Sequence, residues 1–144
     1  ICRSNKMKIT KIVACVAWAI SAVVCLSGCG KQPDREEVLR TTVESVNALT
    51  PIEVDEITRL DSASYQLPAT LRYHYTLSID SLSVAERADM EEYMRATLPD
   101  RIREEKGSEA LGRLGVELQY CYFNPSGKLL LELTVAPTEY ACEK

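Results

Sequence analysis

The stretch Thr70-Leu71-Arg72-Tyr73-His74-Tyr75-Thr76-Leu77-Ser78-Ile79-Asp80 decides the fold. Leu71, Tyr73, Tyr75, Leu77 and Ile79 alternate with Arg72, His74, Thr76, Ser78 and Asp80. Successive side chains of a strand point to opposite faces, so this alternation describes a strand buried on one side and wet on the other. A face of that kind needs partner strands beside it and a cover above it.

Both can be read on either side. Upstream, Gln66-Leu67-Pro68-Ala69 is a turn, and Ile57–Tyr65 is the preceding strand. Before it, Val38, Thr42, Val46 and Leu49 recur at helical spacing, widened by Leu39 and Val43, which predicts a helix over Glu36–Leu49. Asp34 with Glu37 is a variant of the capping box, Thr50-Pro51 stops the helix, and Pro51–Glu56 is an acidic connector. Downstream, Ser83 and Glu86 form a capping box for a helix over Val84–Lys106. Its apolar stripe is Met90, Tyr93, Met94, Thr97, Leu98 and Ile102. Pro99 removes a hydrogen bond and predicts a kink or break, with a short helical piece after it. Gly115–Phe123 and Lys128–Ala136 then form a hairpin around Asn124-Pro125-Ser126-Gly127. In it Val116, Leu118, Tyr120 and Tyr122 share one phase, as do Leu129, Leu131, Leu133 and Val135. Pro137–Lys144 is a short polar tail. The order α-β-β-α-β-β predicts an α+β, two-layer domain: a four-stranded antiparallel sheet covered on one face by two helices.

The N-terminal part is of a different kind. Lys6, Lys8 and Lys11 precede Ile12–Leu26, 15 residues without a charge, and Ser27-Gly28-Cys29 follows. This is the layout of a secretory signal. The run is shorter than the ~20 residues a spanning helix needs. Leu26-Ser27-Gly28-Cys29 resembles the lipobox of bacterial lipoproteins. The resemblance implies a diacylglyceryl group on the Cys29 thiol and cleavage between Gly28 and Cys29. Met7 is the expected start. The expected organisation is a signal peptide over residues 1–28, a lipid-anchored tether over 29–35 and one domain over 36–144. The partner so implied is a lipid bilayer, held through acylated Cys29, in the bacterial cell envelope.

Removing Arg3, Lys6, Lys8 and Lys11 with the leader leaves 13 basic against 21 acidic residues, a net −8. A nucleic-acid binder shows a basic face, so this partner class is excluded. Of six cysteines, Cys2, Cys15 and Cys25 leave with the signal and Cys29 takes lipid, which leaves Cys121 and Cys142. Export permits a disulfide between them. If Phe123 and Lys128 flank the hairpin loop, Cys121 sits opposite Leu130 and Cys142 lies 12 residues further on, ~40 Å along an extended chain. The expectation is two free thiols, with Cys142 in a mobile tail.

The domain resembles a family of small, uncharacterised bacterial proteins, many of them lipoproteins. The matching pieces are Thr58–Ser62, Leu71–Leu77, Gly115-Val116 leading to Tyr120-Cys121-Tyr122, and Leu129–Val135 with Pro137 and Cys142. The resemblance implies export and an α+β fold, and it brings no known activity. It also implies a cysteine late in the second helix as partner of the C-terminal one. Ile102-Arg103-Glu104-Glu105 has none, which leaves Cys121 as a substitute partner or Cys142 free.

Candidate chemistry is sparse. His74, the only histidine, lies on the polar phase of its strand and reads as a solvent-facing residue. Glu53, Asp55, Glu56 and Asp61 could supply oxygens to calcium, but their spacing is not that of a calcium loop, and they read as a solvated connector. Glu91-Glu92 and Glu104-Glu105 read as solubilising. Two cysteines and a histidine do not make a structural zinc site. Tyr73, Tyr75, Tyr120 and Tyr122 share the apolar phase and read as core or core rim. The sequence therefore predicts no catalytic residue, cofactor or metal. It predicts a non-enzymatic binding or interaction module of the envelope, with an envelope protein as a partner. The alternative is an inhibitor or immunity-type domain acting on an envelope enzyme. Replacing Cys29 with Ala is expected to leave an uncleaved precursor that incorporates no labelled fatty acid; equal labelling of the variant would refute the lipobox reading.

Overall fold

The computed structural model describes residues 34–141. The elements run α1 (Arg35–Leu49), β1 (Ile52–Glu53), β2 (Thr58–Gln66), β3 (Thr70–Leu77), α2 (Val84–Glu104), α3 (Ser108–Arg113), β4 (Glu117–Phe123), β5 (Leu129–Val135) and α4 (Pro137–Tyr140). Residues 1–33, with Gly28 and Cys29, and residues 142–144, with Cys142, lie outside the described part.

The five strands form one sheet in the order β1-β2-β3-β4-β5. The two expected hairpins are present and antiparallel, β2 with β3 and β4 with β5. The expected all-antiparallel sheet of four strands is corrected twice. A two-residue strand, β1, extends the β2 edge. The central pair, β3 with β4, is parallel, from Thr70 opposite Glu117 to Thr76 opposite Phe123. The cause is the long helical connection. Parallel neighbours need a crossover of a dozen or more residues, and α2 with α3 carries the chain back to the end at which β3 began. There Glu117 N–H donates to the Ala69 carbonyl at 2.8 Å.

The buried phase of β3 is the expected one. Leu71, Tyr73, Tyr75 and Leu77 are buried, while Arg72, His74 and Thr76 are half-buried rather than exposed. A bulge between Leu60 and Ser62 keeps Leu60 and Ala63 inward on β2. A second, between Tyr122 and Phe123, shifts the β5 register, so that Cys121 faces Glu132 and not Leu130. It also takes Leu129 out of the core and puts Leu130 into it.

All of the described helices serve one face. α1 buries Val38, Leu39, Thr42 and Val46, and acidic Glu36 and Glu37 occupy its first turn, where negative charge suits the helix dipole. Asp34 is the N-cap residue, but its side chain makes no capping bond. In α2 the capping box is complete, with Ser83 and Glu86 bonded reciprocally. Met90, Met94, Leu98 and Ile102, four apart, are its buried stripe. The helix runs through Pro99 unbroken. The proline withdraws one donor, and Leu98 and Ile102, packed on either side of it, hold the two parts in line. The break comes later, at Gly107, whose φ of 93° lies in the left-handed region, and α3 follows.

The C-terminal segment is built into the fold up to Ala141. Pro137 starts the single turn of α4, Glu139 caps it by accepting from Ala136 N–H, and Tyr140 is buried with its hydroxyl donating to the Val116 carbonyl. The expectation of a free tail is thus corrected for these residues. Gly112 of α3 makes this contact possible, since a Cβ there would lie 2.8 Å from the Cβ of Ala141. Gly112→Ala is expected to push α4 off and destabilise the domain by ~1–3 kcal/mol, the usual cost of overpacking, read as a lowered denaturation midpoint with an unchanged slope.

Candidate interaction surface

The face of the sheet turned away from the helices carries Arg59, Asp61, Ser62 and Ser64 from β2 and Arg72, His74 and Thr76 from β3. β4 and β5 add Gln119, Cys121, Phe123, Glu132 and Thr134, by the register of the four strands. No described helix covers it. Its side chains are joined to one another instead. Asp61 accepts from Arg59 Nε and from Thr76 Oγ1, both at 2.5 Å. Arg72 donates to Gln119 Oε1. His74 Nε2 lies 2.9 Å from Ser64 Oγ, and its ring stacks on Phe123 with centroids 6.1 Å apart. Cys121 Sγ lies 3.7 Å from Glu132 Oε2. This mutual shielding is why the polar phase of β3 is half-buried.

Partial burial, with Arg72 nearby, lowers the His74 pKa below its ordinary value, so the imidazole is neutral at pH 7. Burial and the Glu132 carboxylate push the Cys121 thiol up to about 11, so the free thiol is protonated and a poor nucleophile. Ser64 and His74 have the spacing of a nucleophile and its base. A working site also needs the base oriented and an oxyanion stabilised. The Asp61 oxygens are taken by Arg59 and Thr76, and the pair lies on an open sheet rather than in a cleft. The arrangement fixes side chains in place; it does not complete a catalytic constellation.

The inward face has a second cluster. Tyr73 stacks on Tyr120 at 5.4 Å, and Tyr75 on Tyr122 at 4.9 Å and on Tyr120 at 6.4 Å. All four are core, as read from their phase. Burial raises all four phenol pKa values. Beside Tyr73 and Tyr120, a cavity of about 20 Å³ opens at the joint between α2 and α3, with Thr42, Glu105 and Ser108 on its wall. Glu105 follows α2 as its C-cap and turns inward. Burial raises its carboxyl to about 8. The expected solubilising role holds for exposed Glu104 and is corrected for Glu105.

The acids read as a possible calcium set do not converge. Asp55 Oδ1 accepts from Ile57 and Thr58 N–H, each at 2.8 Å, and Asp61 serves the open face. Glu53 and Glu56 are exposed. No group of three or more metal-ligating side chains occurs among the described residues. Asn124 was missed by sequence reasoning. It accepts from Ser126 Oγ and Lys128 N–H in its own turn and donates to the Asp80 carbonyl, tying the β4–β5 hairpin to the end of the β2–β3 hairpin.

The family model described as Domain of unknown function (DUF8479) matches residues 34–131. No curated protein matches the chain. Among solved structures, a protein from Pseudomonas aeruginosa described as secreted superposes with a TM-score of 0.61 at 14% identity, over 77% of this chain and 99% of that one. EpsS, the pilotin of the Vibrio vulnificus type 2 secretion system, superposes with a TM-score of 0.56 at 12% identity, over 74% of this chain and 91% of that one. At these identities the likeness is one of fold.

Glu105 generates a pH dependence of known sign. Its folded pKa of about 8 lies above its ordinary value of 4.5. The unfolded chain therefore releases this proton first, and stability falls as pH rises from 4.5 towards 8. Glu105→Gln is expected to flatten that fall and to be more stable than the parent at pH 8 by ~1–3 kcal/mol, a range discounted for the solvent that still reaches the carboxyl. Denaturation at pH 5 and pH 8 checks it.

Proposed function

The chain belongs to this family of domains of unknown function, and we propose that it acts as a non-enzymatic interaction module of the bacterial cell envelope, held at a membrane by lipid on Cys29. The observation that carries the proposal is the bare sheet face. Every described helix with a buried side is spent on the opposite face, and the uncovered one presents polar groups already fixed against each other. Such a surface loses little side-chain freedom when it meets a partner. The cavity beside Tyr73 and Tyr120 is about 20 Å³, against the ~300–1,000 Å³ of small-molecule sites.

The lipobox Leu26-Ser27-Gly28-Cys29 supports the location, since two or more acyl chains make a stable anchor. A similar fold in a pilotin and in a protein described as secreted agrees with service at the envelope. An inhibitor reading draws its support from a protruding loop. Here the loop after β3 is held down by Asn124, which favours the platform.

The test is photo-cross-linking in the producing cell. A probe at Arg59 or Ser62 on the uncovered face is expected to trap a discrete envelope protein, while one at Arg87 or Glu92 on the exposed side of α2 traps none. Equal trapping from both sides would refute the assignment of the surface. His74-dependent labelling of Ser64 by a serine-directed fluorophosphonate would refute the non-enzymatic reading.

A further inference from the structure

The two edges of the sheet are finished differently. On the β2 side, Ile52 and Glu53 of β1 pair with Leu60 and Arg59. Beyond β1, Asn47 reaches down from α1. Its Nδ2 donates to the Ala63 carbonyl at 2.9 Å, and its Oδ1 accepts from Ala63 N–H at 2.7 Å. One side-chain amide thus supplies the donor and acceptor that a neighbouring strand would offer. Among the described residues the β5 side has no such closure. β5 pairs with β4 alone, and among the described residues no backbone hydrogen bond from a loop or turn reaches Leu131–Val135.

An antiparallel strand turns the N–H and C=O of every second residue outward. Unpaired edges of this kind are normally blunted by charged side chains, lysine above all, by proline or by a bulge. β5 is Leu-Leu-Leu-Glu-Leu-Thr-Val, with no basic residue and no proline. Its one irregularity lies near its start, opposite Tyr122 and Phe123, so Leu131–Val135 is a regular edge. We infer that this edge is a strand-addition site for an extended segment of a partner protein that places a lysine or arginine beside Glu132. The inference rests on the interaction-module reading and specifies its mode.

The charge selects the partner. Glu132 is the only charged residue of β5 and is exposed, its contact being the Cys121 thiol. A second copy paired antiparallel about Glu132 would set two carboxylates opposite each other, and like charges directly opposed are destabilising. The chain as a whole carries −4, which adds to that repulsion. A basic strand has the opposite sign at both scales. Exposed Leu129, at the start of β5, gives the same segment an apolar contact.

The probe is a capped heptapeptide of alternating valine and threonine with a central lysine, titrated into the full chain in detergent while β5 amides are followed by NMR. Protection confined to β5 is expected. Affinity should fall at least tenfold with a central glutamate, and binding should be lost when the peptide is N-methylated along one edge. Glu132→Lys should reverse the preference for the central residue. Shifts outside β5, indifference to N-methylation, or concentration-dependent β5 protection without peptide, which is self-pairing, would each overturn the inference. Cross-links from Arg59 and Ser62 would survive those outcomes, so failure here is distinct from failure of the broader reading.

Discussion

Four tyrosine rings stacked across the parallel β3–β4 pair set the geometry of the domain. Tyr73, Tyr75, Tyr120 and Tyr122 lie on adjacent strands in matching register, with all four rings on the inward face. A tyrosine buries a large rigid area at the cost of two torsions. Four together fill the middle of the core, with α1 packed over β2 on one side and α2 over β5 on the other. Burial beside this tyrosine layer raises the Glu105 carboxyl to about 8. The described helices all pack on the tyrosine side, and none of them covers the other face of the sheet.

Most of the core was legible because burial imposes a period. The alternation in Thr70–Asp80 and in both strands of the second hairpin placed Leu71, Tyr73, Tyr75, Leu118, Tyr120 and Tyr122 correctly, and the fourfold spacing of Met90, Met94, Leu98 and Ile102 did so for α2. Strand direction was not legible, because period two is the same read either way. Only the length of the α2–α3 connection carries that information, and it permits a parallel pair without requiring one. β1 is two residues long and has no period to read. The docked turn at Pro137–Tyr140 hid in a polar segment whose one large apolar residue, Tyr140, does the anchoring.

The candidate surface was less legible for a related reason. Sequence phase says which side of a strand a residue lies on, not how its neighbours crowd it. His74 was read as solvent-facing, and it is held by Ser64 from β2 and Phe123 from β4, ten and 49 positions away. Glu105 was assigned to the wet side by extending the helical period one residue beyond the end of α2, where the period no longer applies. Asn47 and Asn124 act through main-chain groups of distant residues, which no pattern of side-chain character records.

The parallel centre of the sheet also governs the order in which the domain can assemble. Tyr73 and Tyr120 are 47 positions apart, so their pairing carries the loop-closure cost of a non-local contact. The β2–β3 hairpin can form from neighbours in sequence, but β3 keeps one side vacant until α2, α3 and β4 have followed it. Topologies of this sort fold more slowly than those built from local contacts. β3 therefore stays half-paired through the first stage of folding, and the tyrosine layer closes only when the second hairpin arrives.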